Sequence, residues 1–88
     1  MSTFSKPRVL VVDDDPIFRK LLEHHYTTAA WDTVSAAGVA DGLAAYEKGP
    51  FDLVVVDYLL PDGNGQDFVQ GVRETDLDVP ILVVSGSF

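Results

Sequence analysis

The sequence predicts a single α/β domain in which helices cover both faces of a parallel sheet. Three aliphatic segments, residues 9–12, 53–56 and 81–84, are rich in valine and do not alternate with polar residues. Continuous apolar runs of this kind are typical of strands that are buried on both faces. Helical segments separate these strands, and the alternation of strand and helix favours right-handed crossovers and a doubly wound sheet.

The first helix is predicted directly after the first strand. Asp15 can cap its N-terminus, and Pro16 suits the first helical position, where its missing N–H would be unpaired in any case. Ile17, Leu21 and Leu22 follow at helical spacing. We therefore expect these three side chains to lie on the buried face of the helix.

The middle of the chain predicts a second strand and a second helix. A weaker strand is expected over residues 33–37, followed by a short helix over residues 39–48. The dipeptide Gly49-Pro50 then ends the helix, because glycine favours the helix C-terminus and proline cannot continue it.

The last third of the chain predicts a turn, a helix and the final strand. Residues 61–65 read PDGNG, which is a dense cluster of turn formers. A helix over residues 66–74 follows, with Phe68 and Val72 directed inward, and Pro80 precedes the final strand. The predicted order is therefore β-α-β-α-β-α-β, with no internal repeat or linker, and we expect one domain over residues 1–88.

Composition narrows the class of protein. Hydrophobic residues make up 47% of the chain, which indicates a globular rather than a disordered chain. Fourteen acidic and six basic residues give a net charge of −8, which argues against nucleic-acid binding by this chain. Without cysteine, disulfides and zinc–thiolate sites are excluded. We find no signal peptide and no apolar run that could span a membrane, and we expect a cytoplasmic location.

Polar side chains follow the predicted aliphatic strands at the points where these strands end. The first strand leads into Asp13 and Asp14, the third into Asp57, and the fourth into Ser85. Ligands of open parallel sheets bind outside the carboxyl ends of the strands. An acidic residue at such an end can simply cap the next helix, but four polar residues at matching ends favour a binding site.

Carboxylates that converge at one edge of a sheet predict a hard metal ion. They repel one another unless a cation neutralises them, and Mg²⁺ prefers oxygen ligands. A carboxylate beside such an ion can attack phosphorus, while the ion neutralises charge on the transferring group. The hydroxyl of Ser85 could then donate a hydrogen bond to a phosphoryl oxygen.

Three segments resemble the motifs of the receiver domain of bacterial response regulators. They are residues 11–15 (VVDDD), residues 57–65 (DYLLPDGNG) and residues 79–86 (VPILVVSG). The resemblance covers nearly the whole chain and implies a flavodoxin-like fold with strand order 2-1-3-4-5. It also implies a signalling module that accepts a phosphoryl group from a histidine kinase or a phosphotransfer protein, and not an enzyme.

The resemblance assigns a role to each residue of the predicted site. Asp57 would be the phosphoacceptor, and the hydroxyl of Ser85 would contact the phosphoryl group. Asp14 would bind Mg²⁺ directly and Asp13 through water. The backbone carbonyl of Leu59 would be a further metal ligand.

The 88 residues do not contain the family's last helix, strand and helix. That strand carries an active-site lysine, so we expect phosphoryl transfer to Asp57 to be slow or undetectable. The strand at residues 81–84 would have an exposed edge, and we expect a homodimer through this strand or through exchange of elements.

Two other functions are alternatives to that of a receiver. The chain could bind a metal or a partner without phosphotransfer. An enzyme of the haloacid dehalogenase type also uses an aspartate at a strand end, but it needs a second aspartate two positions later. Leu59 stands at that position, which argues against such an enzyme.

Overall fold

The structure is a computed structural model that describes residues 6–85. Its elements alternate between strands and helices, as expected, with one additional pair of two-residue strands. In chain order they are β1 (Arg8–Val12), α1 (Pro16–Thr28), β2 (Asp32–Ala36), α2 (Val39–Tyr46), β3 (Leu53–Asp57), β4 (Leu59–Leu60), β5 (Gly63–Asn64), α3 (Gly65–Arg73) and β6 (Ile81–Val84).

The main sheet has four parallel strands in the order β2-β1-β3-β6. This confirms the predicted doubly wound α/β fold, with the predicted strand ends shifted by at most one residue. In the register of the sheet, Val12 lies beside Val56 and Ala36. The carboxyl ends of β1 and β3 are therefore level, which places the residues that follow them side by side.

Helices cover the two faces of the sheet unequally. On one face, α2 and α3 enclose a core that includes Leu10, Val54 and Phe68. On the other face, α1 covers a smaller cluster built on Val9 and Val11. Because Leu10 is buried on one face and Val9 and Val11 on the other, the sequence of β1 is continuously apolar.

Helix α1 begins as predicted but presents a different face to the sheet. The carboxylate of Asp15 accepts hydrogen bonds from the first turn, which confirms the predicted cap. Leu22 and Tyr26 pack against the sheet. Ile17 and Leu21, expected to be buried, are 73% and 61% exposed, so that expectation is wrong. Packing of residues 22 and 26 against the sheet turns residues 17 and 21 outward.

The final strand has the exposed edge that we expected from the resemblance to receiver domains, whereas its continuously apolar sequence alone favoured burial on both faces. Leu82 is 51% and Val83 is 44% exposed. Within residues 6–85, β6 pairs with β3 and forms an edge of the sheet. Its side chains are consequently covered on neither face as fully as those of β1 and β3, which lie inside the sheet.

The remaining elements begin and end close to their predicted positions. Helix α2 ends at Tyr46, before the predicted stop, and α3 begins one residue earlier than predicted. The turn cluster contains a small antiparallel hairpin, in which β4 and β5 pair Leu59 with Asn64 and Leu60 with Gly63. No helix in the described part of the chain is long and apolar enough to cross a membrane.

Candidate functional site

An acidic cluster lies at the carboxyl ends of β1 and β3. Asp13 and Asp14 directly follow β1, and Asp57 is the last residue of β3. Each of the three contributes a carboxylate oxygen, and these atoms lie within 4.8 Å of one another. Asp13 is only 2% exposed, whereas Asp57 is half-buried and Asp14 is exposed. The sequence correctly predicted that these carboxylates converge.

Asp13 is held in place by its backbone and by one carboxylate oxygen. Its N–H donates to the carbonyl of Ala36 (3.0 Å), and the Arg19 guanidinium donates to its carbonyl (2.8 Å). Its Oδ1 accepts a hydrogen bond from the N–H of Asp15 (2.9 Å). The other carboxylate oxygen makes no hydrogen bond with the described residues, so it is available to a cation.

The buried position of Asp13 favours its protonated form. Burial raises its pKa above the ordinary value, and the negative charges of Asp57, Asp14 and Asp15 raise it further. The hydrogen bond from the Asp15 N–H acts in the opposite direction, because it stabilises the ionised carboxylate. Three carboxylates in this arrangement are therefore costly to keep ionised without a positive charge among them.

One cavity brings all of the predicted site residues together. The aspartate cluster lines it with Leu59 and Ser85, which approach from β4 and from the end of β6. The cavity also has an apolar wall formed by Phe18, Leu60 and Pro61. The sequence did not predict this apolar wall, although Leu60 and Pro61 lie within residues 57–65, the segment that resembles the family's motif around the phosphoacceptor.

The backbone after Asp57 folds tightly back on itself. The N–H of Tyr58 donates to the carbonyl of Val84 (2.8 Å), and the N–H of Gly65 donates to the carbonyl of Tyr58 (2.7 Å). A Cβ atom at Gly65 would lie 2.8 Å from the backbone oxygen of Asp57. Only glycine allows this close approach, which explains the glycine at the end of the PDGNG cluster.

The donor set at the cluster fits Mg²⁺. All candidate ligands are oxygens, which suit a small, hard cation. With metal–oxygen distances of about 2.1 Å, opposite ligands of an octahedral Mg²⁺ lie about 4.2 Å apart. The spread of up to 4.8 Å among the carboxylate oxygens is close to that value, and exposed Asp14 can close the difference by rotating.

The fold and the acidic cluster define a flavodoxin-like α/β domain with a site at the carboxyl ends of its strands. Residues 9–87 match the family described as the response regulator receiver domain. The chain belongs to this family, whose members are regulatory modules of two-component systems, act as phosphoacceptors and generally bind Mg²⁺ at an acidic pocket.

Individual relatives agree with this assignment. The response regulator protein PilR of Pseudomonas aeruginosa is 36% identical over 81 residues, which are 92% of this chain and 18% of PilR. The chemotaxis protein CheY4 of Vibrio cholerae superposes with a TM-score of 0.90 at 29% identity, over 96% of this chain and 72% of that one.

A third match is to a chain in the crystal structure of the histidine kinase ThkA in complex with the response regulator protein TrrA. Its TM-score is 0.83 at 28% identity, over 91% of this chain and 69% of that one. This chain spans 18% of PilR and 33% of the Bacillus subtilis regulatory protein YcbL, and so matches only part of the length of these curated relatives.

Proposed function

We propose that this chain accepts a phosphoryl group on Asp57, with Mg²⁺ bound by Asp13, Asp14, Asp57 and the carbonyl of Leu59. One observation carries the proposal. The three carboxylates lie within 4.8 Å of one another, in a cavity that Ser85 also lines. Asp57 is the member of this cluster that ends β3.

In this mechanism a carboxylate oxygen of Asp57 attacks the phosphorus atom of the donor. A phosphorus–oxygen bond forms to Asp57, and the bond from phosphorus to the donor breaks with its electron pair leaving on the donor. When bound, Mg²⁺ would neutralise charge on the transferring group. The hydroxyl of Ser85 would donate a hydrogen bond to a phosphoryl oxygen and stabilise the same charge.

We propose a histidine kinase or a phosphotransfer protein as the donor. The fold similarity to a chain in the ThkA–TrrA complex supports a kinase partner.

The test is phosphorylation of the purified chain by acetyl phosphate, with and without Mg²⁺, followed by peptide mass spectrometry. We expect slow modification that requires Mg²⁺ and is confined to Asp57. Asp57→Asn should abolish it, whereas Asp32→Asn, which removes the same charge from an exposed position on β2, should not. Modification that persists in Asp57→Asn would refute the assignment.

A second function, self-association without efficient phosphotransfer, is supported by β6. Leu82 and Val83 are both about half exposed on an edge strand, and exposed apolar edges pair readily with other chains. On α1, Ile17 and Leu21 add exposed apolar surface. We therefore propose that the 88-residue chain forms a homodimer through this strand or by exchange of elements.

A further inference from the structure

The tip of the β4–β5 hairpin is bonded to the N-terminus of α2. The carboxylate of Asp62 accepts hydrogen bonds from the backbone N–H groups of Val39 (2.7 Å) and Ala40 (3.0 Å). These two bonds lower the pKa of Asp62, because they stabilise its ionised form. The carboxylate also lies where the helix dipole favours a negative charge.

Helix α2 takes its cap from this distant residue because its own N-cap residue provides none. Gly38 occupies the N-cap position and makes no side-chain hydrogen bond. A Cβ atom there would lie 2.7 Å from Oδ1 of Asp62. Helices are usually capped by a serine, threonine, aspartate or asparagine at the N-cap itself. Here glycine leaves room for a carboxylate that enters from the site loop.

The hairpin that carries Asp62 also carries Leu59. Leu59 and Leu60 pair with Asn64 and Gly63, and the tip between these pairs reaches α2 through Asp62. Leu59 lines the site cavity, three residues before the tip. A bond at the tip therefore limits how far the whole hairpin, including the backbone of Leu59, can move relative to the aspartate cluster.

We propose that Asp62 is a positioning residue, which holds the hairpin against α2 and thereby sets the position of Leu59 at the acidic cluster. The proposal rests on the proposed function, in which the Leu59 carbonyl is a metal ligand. Asp62 itself is not among the residues that line the site cavity. Residues that orient metal ligands without binding the metal typically affect metal affinity, and we expect removal of the Asp62 carboxylate to lower the Mg²⁺ affinity of the chain about tenfold.

The experiment separates hairpin positioning from the stability of α2. Asp62→Ala removes the hydrogen bonds that join the hairpin to α2, and with them the cap of that helix. Adding Gly38→Ser in the same chain supplies a local cap, in the space that the carboxylate has left. The backbone of Gly38 is extended (φ −164°, ψ −178°), and serine adopts that conformation. Asp62→Asn keeps an acceptor oxygen and should retain part of the effect.

Two measurements are needed for each variant: hydrogen exchange of the amides of residues 59–65 without metal, and Mg²⁺ affinity by NMR titration. We expect Asp62→Ala to accelerate exchange in the hairpin and to weaken Mg²⁺ binding about tenfold. The double variant Asp62→Ala/Gly38→Ser should regain thermal stability but keep the fast exchange and the weak binding. Recovery of Mg²⁺ affinity together with stability would overturn the proposal, since helix capping alone would then explain the loss.

Asp52→Ala is the matched control. The carboxylate of Asp52 accepts a hydrogen bond from the backbone N–H of Arg8 (2.8 Å). This bond lies at the amino ends of β1 and β3, whereas the acidic cluster lies at their carboxyl ends. Removing the Asp52 carboxylate should therefore leave the hairpin and Mg²⁺ binding unchanged. If hairpin exchange is the same in Asp62→Ala as in the unaltered chain, the positioning role is refuted and the metal site stands. If the unaltered chain binds no Mg²⁺ but exchange accelerates in Asp62→Ala, the metal site fails while the tie from Asp62 to α2 is upheld.

Discussion

Removing the charge of Asp57 should stabilise the chain when Mg²⁺ is absent. Its carboxylate lies within 4.8 Å of that of Asp13. Two unit charges at that distance repel by about 3.5 kcal/mol at an effective dielectric constant of about 20. Solvent at half-buried Asp57 reduces this repulsion, so we expect Asp57→Asn to raise the free energy of unfolding by about 1 kcal/mol. In a domain of this size the midpoint of thermal unfolding would rise by about 4–8 °C.

Mg²⁺ should reverse the order of stability. A ligand that binds only the folded state at a concentration of about one hundred times its Kd stabilises it by about 2.7 kcal/mol. The unaltered chain would gain this amount, whereas Asp57→Asn loses a charged ligand and would gain less. The chain with Asp57 should therefore be the less stable one in chelator and the more stable one in saturating Mg²⁺.

Thermal unfolding followed by circular dichroism and by Trp31 fluorescence would measure both effects. Trp31 packs against Tyr26 beside the amino end of β2, far from the cluster, so it reports unfolding and not ion binding. Asp32→Asn controls for the general benefit of reducing a net charge of −8. If Asp57→Asn is no more stable than Asp32→Asn in chelator, or if Mg²⁺ stabilises both variants equally, the carboxylates do not act as one site.

Two further predictions test the backbone at the site and the edge of the sheet. Gly65→Ala should destabilise the chain by about 2 kcal/mol in urea unfolding, because its Cβ would meet the rigid backbone oxygen of Asp57 at 2.8 Å. Gly71→Ala should be nearly neutral, because its Cβ would meet only the flexible side chain of Leu43. Equal effects of the two substitutions would contradict this reasoning. Sedimentation over a concentration series should show a dimer that Leu82→Lys dissociates, and a monomer at all concentrations would refute self-association.

The positions of the site residues could be predicted because parallel strands end together. Once residues 9–12 and 53–56 are assigned as neighbouring buried strands, Asp13 and Asp57 must emerge at the same edge. The register confirms this, with Val12 beside Val56. The prediction needed no knowledge of side-chain packing, because it rests on strand direction and on where each apolar run stops.

Features that depend on neighbours distant in sequence could not be predicted. Hydrophobicity alone could not indicate whether another element covers Leu82, and the exposed edge was expected only from the resemblance to receiver domains. Helical spacing identified Ile17 as part of an apolar stripe, yet the rotation of α1 is set by the sheet surface against which Leu22 packs. The β4–β5 hairpin was missed because two-residue strands are too short to show alternation.

Asp62 illustrates the same limit at the site itself. In the sequence it is one residue of a turn cluster, and aspartate in a turn is usually explained by hydrogen bonds to its own backbone. Its partners Val39 and Ala40 lie more than twenty residues earlier. The signal available in the sequence was Gly38, a helix N-cap residue without a capping side chain, which raised the question of where the cap comes from.

The hairpin after Asp57 is bonded to three separate elements of the fold. Its base is tied to β6 by the Tyr58–Val84 hydrogen bond, its tip to α2 by Asp62, and its end to α3 by the reciprocal bonds between Asn64 and Asp67. Because a phosphoryl group on Asp57 would add charge at the base of this hairpin, any movement that it causes must strain or break one of these bonds. Hydrogen exchange at residues 39, 58 and 64 would therefore distinguish which element responds to the change at the site.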